Sequence, residues 1–300
     1  AVKTGLAVIG SIKITDPTEE ADGKASYDVT YAAVNVDDNG VITACKFDSV
    51  GVDVAFDATG AIKTEDGEVL TKHEKGFDYG MVAYGGSTYE WFEQANSVAA
   101  YAVGKTVEEL KTGAINESGY AADADLASSA TIYLGGYVSA IEVAVNNAQH
   151  LGAQAGDELR LATTAKVSFT DATADANGLI QLDCDVVALT MKDGVITSCA
   201  LDSLQAKVNV DATGAVKDLN AAPATKNQLG ENYGMVARGG AKYEWNEQAA
   251  NFAAYVTGKT PAEVSGIAVN EATYPTDADL TAGVTIAIGG FQALIAKATA

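Results

Sequence analysis

The chain has 300 residues, 48% of them hydrophobic, with 40 acidic side chains against 19 basic ones and a formal net charge of −21. That length holds two ordinary domains, and the apolar fraction with only four prolines excludes a disordered chain. No apolar run reaches the roughly eighteen residues of a membrane-spanning helix, and so acidic a surface repels phosphate backbones and anionic lipid, so neither membrane insertion nor nucleic-acid binding is expected.

The chain begins at Ala1, as a mature secreted protein does after signal-peptide removal, although a segment cut from a longer chain would begin the same way. Residue 1 is not Cys, so no N-terminal lipid anchor is expected. The chain is a tandem duplication. Tyr79–Thr106 recurs as Tyr233–Thr260 with 19 of 28 positions identical, and Trp91 and Cys45 recur as Trp245 and Cys199, each 154 positions later.

In chain order, Leu6, Val8, Ile12 and Ile14 alternate with polar neighbours over Gly5–Asp16, with a break at Gly10. This predicts one strand or two short ones. Val167 and Phe169 fill the places of Ile12 and Ile14 at an offset of 155, so the first copy carries one extra residue. It is expected between about Lys24 and Val36, absorbed as a bulge.

Two hairpins follow, Ala25–Val36 with Val41–Val50 and Ile180–Thr190 with Val195–Leu204, turning at Asn39-Gly40 and Asp193-Gly194. Glycine accepts the positive φ such turns need. The acidic Asp37-Asp38 loop has one carboxylate in its second-copy counterpart, which argues against calcium there. Counting back from Asp193-Gly194 puts Cys184 close to opposite Cys199, a candidate disulfide without a first-copy equivalent for Cys184. Three buried thiols fit as well. Asp57–Gly60 and Asp211–Gly214 are turns in which the aspartate bonds the backbone two residues on. Lys63–Phe77 and Lys217–Glu231 are expected to be surface loop.

Helices come next. Trp91, Ala95, Val98, Ala99 and Ala102, with Trp245, Ala249, Phe252, Ala253 and Val256, follow the spacing of a core-facing stripe that ends at Gly104 and Gly258. Thr106–Glu109 and Thr260–Glu263 are capping boxes. The Gly104-Lys105-Thr106 triplet lacks the upstream glycine of a phosphate loop and is a helix end followed by a cap. Apolar helices over Gly136–Asn147 and Gly290–Ala298 close each copy. Strands followed by helices predict an α+β fold of two tandem homologous domains, 1–148 and 158–300, joined by a linker at 149–157. Each domain would be a largely antiparallel sheet with its helices packed on one face.

Few side chains are equipped for chemistry. The histidines, His73 and His150, are not duplicated. Glu90 and Glu93, with counterparts Glu244 and Glu247, sit three apart and share a helix face. Paired carboxylates can act as acid and base or hold a metal. With Gln94 and Gln248 alongside, the functional expectation is a protein–protein contact on a solvated face. Gly85-Gly86 and Gly239-Gly240 precede a helix and are a candidate anion site, helped by Arg238 in the second copy. No catalytic, cofactor or metal residue is nominated.

The runs DGVITSCALDSLQAKVNVDATG, TKNQLGENYGM, KYEWNEQAANFAAYVTGKT and DADL resemble secreted and lipid-anchored proteins of anaerobic Firmicutes, over nearly all of the second copy and more loosely the first. The Asp-Gly hairpins also bear a fainter likeness to flavin-mononucleotide-binding extracellular domains. Those carry a Ser/Thr-Gly-Ala-Thr attachment motif, whereas Ala58-Thr59-Gly60-Ala61 has another order, so no cofactor is expected. The expected function is a secreted, non-enzymatic structural protein that assembles with itself, head to tail, into an extracellular filament or surface layer. The alternative is an extracellular small-molecule binding protein, for flavin among others, with its site between the two domains.

Overall fold

The computed structural model describes residues 1–300 and is an α+β fold on two antiparallel sheets. Strands β1 (Lys3–Thr15), β2 (Gly23–Val36) and β3 (Ile42–Phe56) form the first, in that order. The second runs β4-β5-β6-β7-β8, from β4 (Gly67–Glu68), β5 (Glu158–Thr170), β6 (Gly178–Lys192), β7 (Val195–Val210) and β8 (Val216–Lys217). The first copy's helices are α1 (Lys72–Lys75), α2 (Trp91–Ala102), α3 (Val107–Glu109), α4 (Ala124–Ala127) and α5 (Gly135–Asn147). The second copy repeats them as α6 (Lys226–Leu229), α7 (Trp245–Val256), α8 (Pro261–Ser265), α9 (Ala278–Thr281) and α10 (Gly289–Thr299). No helix is long and apolar enough to cross a membrane.

The strands alternate, and both of their faces are covered. In β6, Ile180, Leu182, Cys184 and Val186 face the first sheet, while Val187, Leu189 and Met191 face the helices. That is the period of two that a strand imposes. Where both faces are buried the alternation of polarity disappears, so Val186–Met191 is an unbroken buried run. Between the sheets, Leu6, Tyr27, Tyr31 and Phe56 pack with Leu159, Ile180, Leu182 and Val208 in one cluster. Outside, Phe47, Trp91, Leu134 and Ile141 close the first helix layer, and Leu189, Trp245, Phe252 and Leu294 the second. The layers therefore run helix, sheet, sheet, helix, and the innermost core belongs to both copies.

Polar groups tie the sheets as well. The Tyr27 hydroxyl donates to the Ile180 carbonyl at 3.1 Å. The Thr4 and Ser198 hydroxyls meet at 2.7 Å, and Ser198 meets Thr190 at 2.7 Å. Buried and mutually satisfied, these groups fix how the sheets sit on each other.

Each copy also reaches across to the other. β4 pairs with β5, and Val69 N–H donates to Ala165 O. On the other side Ile12 N–H donates to Ala221 O, but Pro223 stands where Val69 would and has no N–H to repeat the second bond. The stretches expected as surface loop thus hold edge pairings and the short helices α1 and α6. Residues 149–157 lie against the N-terminal strand, with Val2 N–H donating to Ala153 O and Thr4 N–H to Gln149 O. The two Asp-Ala-Thr-Gly turns meet. A Cβ on Gly60 would stand 2.4 Å from the Asp211 carbonyl oxygen, and one on Gly214 would stand 2.9 Å from that of Asp57.

The extra first-copy residue is not in β2. Lys3 pairs with Val36 and Glu158 with Met191, so the offset of 155 persists to the end of β2, and both hairpins carry the same irregularity just before the turn. The insertion is in the turn, Asp37–Val41, where Asp37 Oδ1 accepts from Asn39 and Val41 N–H. The second copy closes with Asp193 and Gly194, both at positive φ. A turn takes an added residue without moving any strand side chain to the wrong face.

The tryptophan stripe is core in both copies, with Trp91 2% and Trp245 6% exposed. Trp91→Ala and Trp245→Ala are each expected to lower unfolding free energy by about 3–5 kcal/mol. Chemical denaturation checks this, and a variant that unfolds like the parent would remove that tryptophan from the core.

Candidate functional site

Four of the six residues nominated as a contact face turn inward instead, while Glu93 is half-buried and Glu247 exposed. Glu90, Gln94, Glu244 and Gln248 are buried. Glu90 accepts from Met81 and Val82 N–H at 2.9 and 3.0 Å, and Glu244 from Met235 and Val236 N–H at 2.8 and 3.1 Å. Glu93 and Glu247 reach back to the Glu90 and Glu244 N–H at 2.8 Å each, completing capping boxes. Gln94 accepts from Thr131 and Ile132 N–H, and Gln248 accepts from Thr285 N–H. A shared helix face was the wrong picture because Glu90 and Glu244 precede their helices as N-caps.

The anion site falls with them. Helices α2 and α7 start at Trp91 and Trp245, five residues past Gly86 and Gly240. Gly85 and Gly239 N–H are spent on Met81 and Met235 O. The neighbouring Met81, Val82, Met235 and Val236 N–H groups already hold the carboxylates of Glu90 and Glu244. Arg238 bonds the Asn232 and Tyr233 carbonyls.

The disulfide is also excluded. Cys199 pairs with Leu189, and Cys184 pairs with Leu204. Cys184 points into the sheet–sheet core and Cys199 toward the helices. The tight turn sets a register in which the two are five rungs apart and on opposite faces. All three cysteines are free and buried, and burial pushes the Cys45 and Cys199 thiols up to about 12 and Cys184 higher still.

What the fold does build is a cleft between the copies, of about 960 Å³. One wall is β1 and the end of α5, with Leu6, Val8, Val143, Asn146 and His150. The other is β7, α6 and α7, with Asp202, Asn227, Asn246, Ala250 and Ala254. No Lys or Arg lines it. His150 Nε2 is engaged by Asp38 Oδ1 at 3.1 Å.

Asp202 is 7% exposed. Its Oδ1 accepts from Ser203 and Asn227 N–H at 2.8 and 3.1 Å. Burial pushes the carboxyl up to about 6, against the lowering influence of the Thr225 hydroxyl, those two amides and the charge of Lys226. Lys226 itself lies over the Tyr233 and Trp245 rings, 5.1 Å from each centroid. Asn246 Oδ1 is buried and has no hydrogen-bond partner.

The corresponding place on the opposite side is filled. Asp48 stands for Asp202, and His73 for Asn227. His73 Nδ1 lies 3.3 Å from Asp48 Oδ1, and Nε2 lies 2.9 Å from Asn96 Oδ1. Burial disfavours the charged imidazole, but the contact and charge of Asp48 with the bond to Asn96 outweigh it and raise the His73 pKa. Lys297 Nζ reaches the Thr163 carbonyl at 2.7 Å and Glu74 Oε2 at 3.0 Å. In the open cleft His73, Asn96, Lys297, Glu74 and Phe92 are replaced by Asn227, Ala250, Val143, Gln228 and Asn246. Smaller or uncharged side chains leave the space.

No protein-family model, curated protein or solved structure matches the chain. Asp202, Asn227 and Asn246 were not singled out in the sequence. Their signal was the difference between copies, above all His73 against Asn227, which as a lone histidine argued against function.

Two measurements check this chemistry. Ellman titration is expected to find three thiols after denaturation and almost none in the native state; a native thiol that reacts at once would contradict their burial. For Asp202, the folded chain keeps the proton to about 6, while an unfolded aspartate releases it near about 3.9. Between these values the folded state binds more protons, so this contribution is fully present at low pH and lost as pH rises through the window. The stability of the parent relative to Asp202→Asn should fall by on the order of 1–3 kcal/mol from about pH 4 to about pH 6. A flat difference would mean that the carboxyl is not raised.

Proposed function

We propose that the chain is an extracellular, non-enzymatic binding protein that holds a small molecule in the cleft between its two copies. The observation that carries this is the asymmetry of two corresponding places, one plugged by the protein's own side chains and one open at about 960 Å³ with an unplugged buried carboxylate. Concave, partly apolar sites with a few placed polar groups are where small ligands bind. The non-enzymatic part rests on the state of the reactive groups. The thiols are buried in their protonated form, and both histidines are held by aspartates. The extracellular part rests on the acidic composition and the resemblance to secreted proteins.

Self-assembly is the second function supported by a specific feature. The first copy exposes Phe77 and Tyr84, the latter at 92%, where the second carries Glu231 and Arg238. Contacts between unlike faces of one chain give head-to-tail assemblies. Sedimentation velocity at high concentration should show oligomers that the double variant Phe77→Glu, Tyr84→Glu dissociates, and a strictly monomeric parent removes this role.

For the binding function, native mass spectrometry of protein purified from its source, followed by a thermal-shift screen of small molecules, is expected to find ligands for the parent. Ala250→Trp, which fills the cleft from an exposed helix position, should abolish them with the melting temperature unchanged. Ligands that bind this variant as well as the parent would place the site elsewhere.

A further inference from the structure

We infer that the open cleft takes a small aliphatic amine, with its ammonium group set against Asp202. This rests on the cleft being the binding site, and adds the chemistry of what fills it. The cleft is rich in acceptors and poor in donors of charge. Asp202 lines it, more than nine-tenths buried, with amide N–H groups on one oxygen and no cation against it inside the cleft. Asn246 Oδ1 is a second acceptor, buried and unpaired. A buried acceptor left without a donor is costly, and a cationic donor satisfies it best. An anionic ligand would meet the Asp202 carboxylate with neither Lys nor Arg in the lining; Lys226 acts on Asp202 from outside the lining, over the Tyr233 and Trp245 rings, and His150 is engaged by Asp38. The net charge of −21 favours cations in the surroundings too.

The filled side shows what such a pocket accepts. There the protein supplies an imidazole and an ammonium group of its own. The His73 imidazole sits on Asp48, and the Lys297 ammonium, on its four-carbon stem, sits between Glu74 and the Thr163 carbonyl. In the open cleft these positions are Asn227 and Val143, so the carboxylate is kept while the imidazole and the ammonium group are gone. Leu6, Val8, Val143 and Ala254 remain as an apolar wall for a hydrocarbon stem. A primary amine on a short alkyl chain would take the part that Lys297 and His73 play opposite.

A matched trio of probes tests this by isothermal titration calorimetry at neutral pH: n-pentylamine, n-pentanol and pentanoate, with 1,5-diaminopentane as a longer-reaching amine. The amines are expected to bind and the other two not. Asp202→Asn should weaken the amines about tenfold or more. Asn227→His, which rebuilds the pair that the first copy already folds with, should also displace them, so loss of binding does not depend on one variant's stability. Amines that bind Asp202→Asn and Asn227→His like the parent overturn the inference. If pentanol or pentanoate binds as well as the amines and Ala250→Trp blocks it, the cleft stands as the site and its cationic specificity is overturned. If none of the four probes binds, the amine inference is overturned, and the mass-spectrometric search decides the cleft itself.

Discussion

The structure depends on two antiparallel sheets burying one face each against the other. Neither copy could leave that face in water, because Tyr27, Tyr31, Ile180 and Leu182 lie there, fully buried. At roughly 25 cal/mol per Å² of apolar surface removed from water, burying each such side chain is worth about 2 kcal/mol. Burial alone does not choose a register, and here polar groups do. The Tyr27–Ile180 and Thr4–Ser198 bonds cross between the sheets and form only when the sheets sit as they do.

The same packing makes the cleft. A duplicated chain whose halves meet through corresponding surfaces creates each inter-copy position twice. Each edge of β1 or β5 faces the β7 or β3 side of the other copy, so there are two chances to form a pocket. One holds paired side chains, His73 on Asp48 and Lys297 on Glu74. The other keeps the aspartate and lacks the imidazole and the ammonium group, leaving a carboxylate whose burial raises its pKa. A cluster of paired side chains and an open acidic cleft thus occupy corresponding places in the two copies.

The helix layers show how a strongly repeated motif can be structural. The most similar stretch of the two copies, Tyr79–Thr106 with Tyr233–Thr260, spends its polar side chains on its own backbone. Glu90 and Glu244 gather the N–H groups of the preceding turn, Glu93 and Glu247 cap the caps, and Gln94 and Gln248 pin the segment before α5 and α10. A buried carboxylate with two backbone donors is a demanding arrangement, and removing either partner strands the other. Strong similarity there follows from folding constraints, while the cleft lies where the copies differ.

The sequence by itself determined the local order of the protein. The α+β class, the core stripe of Trp91 and Trp245, the Thr106 and Thr260 caps and the Asp57 and Asp211 turns are all set by residues within a few positions of one another, and periodicity and capping chemistry express such constraints directly. Only the tertiary structure decided the rest. Strand alternation does not say whether a face meets a helix or another sheet, so the shared core was not legible. The hairpin register, by contrast, is local: the Asp193-Gly194 turn brings Leu189 and not Cys184 opposite Cys199. The inward turn of Glu90 depended on the N–H groups of Met81 and Val82, eight and nine positions back in a turn without periodicity. The cleft joins Leu6 and His150 to Asp202 and Asn246, residues that share no local pattern and meet because two sheets pack face to face.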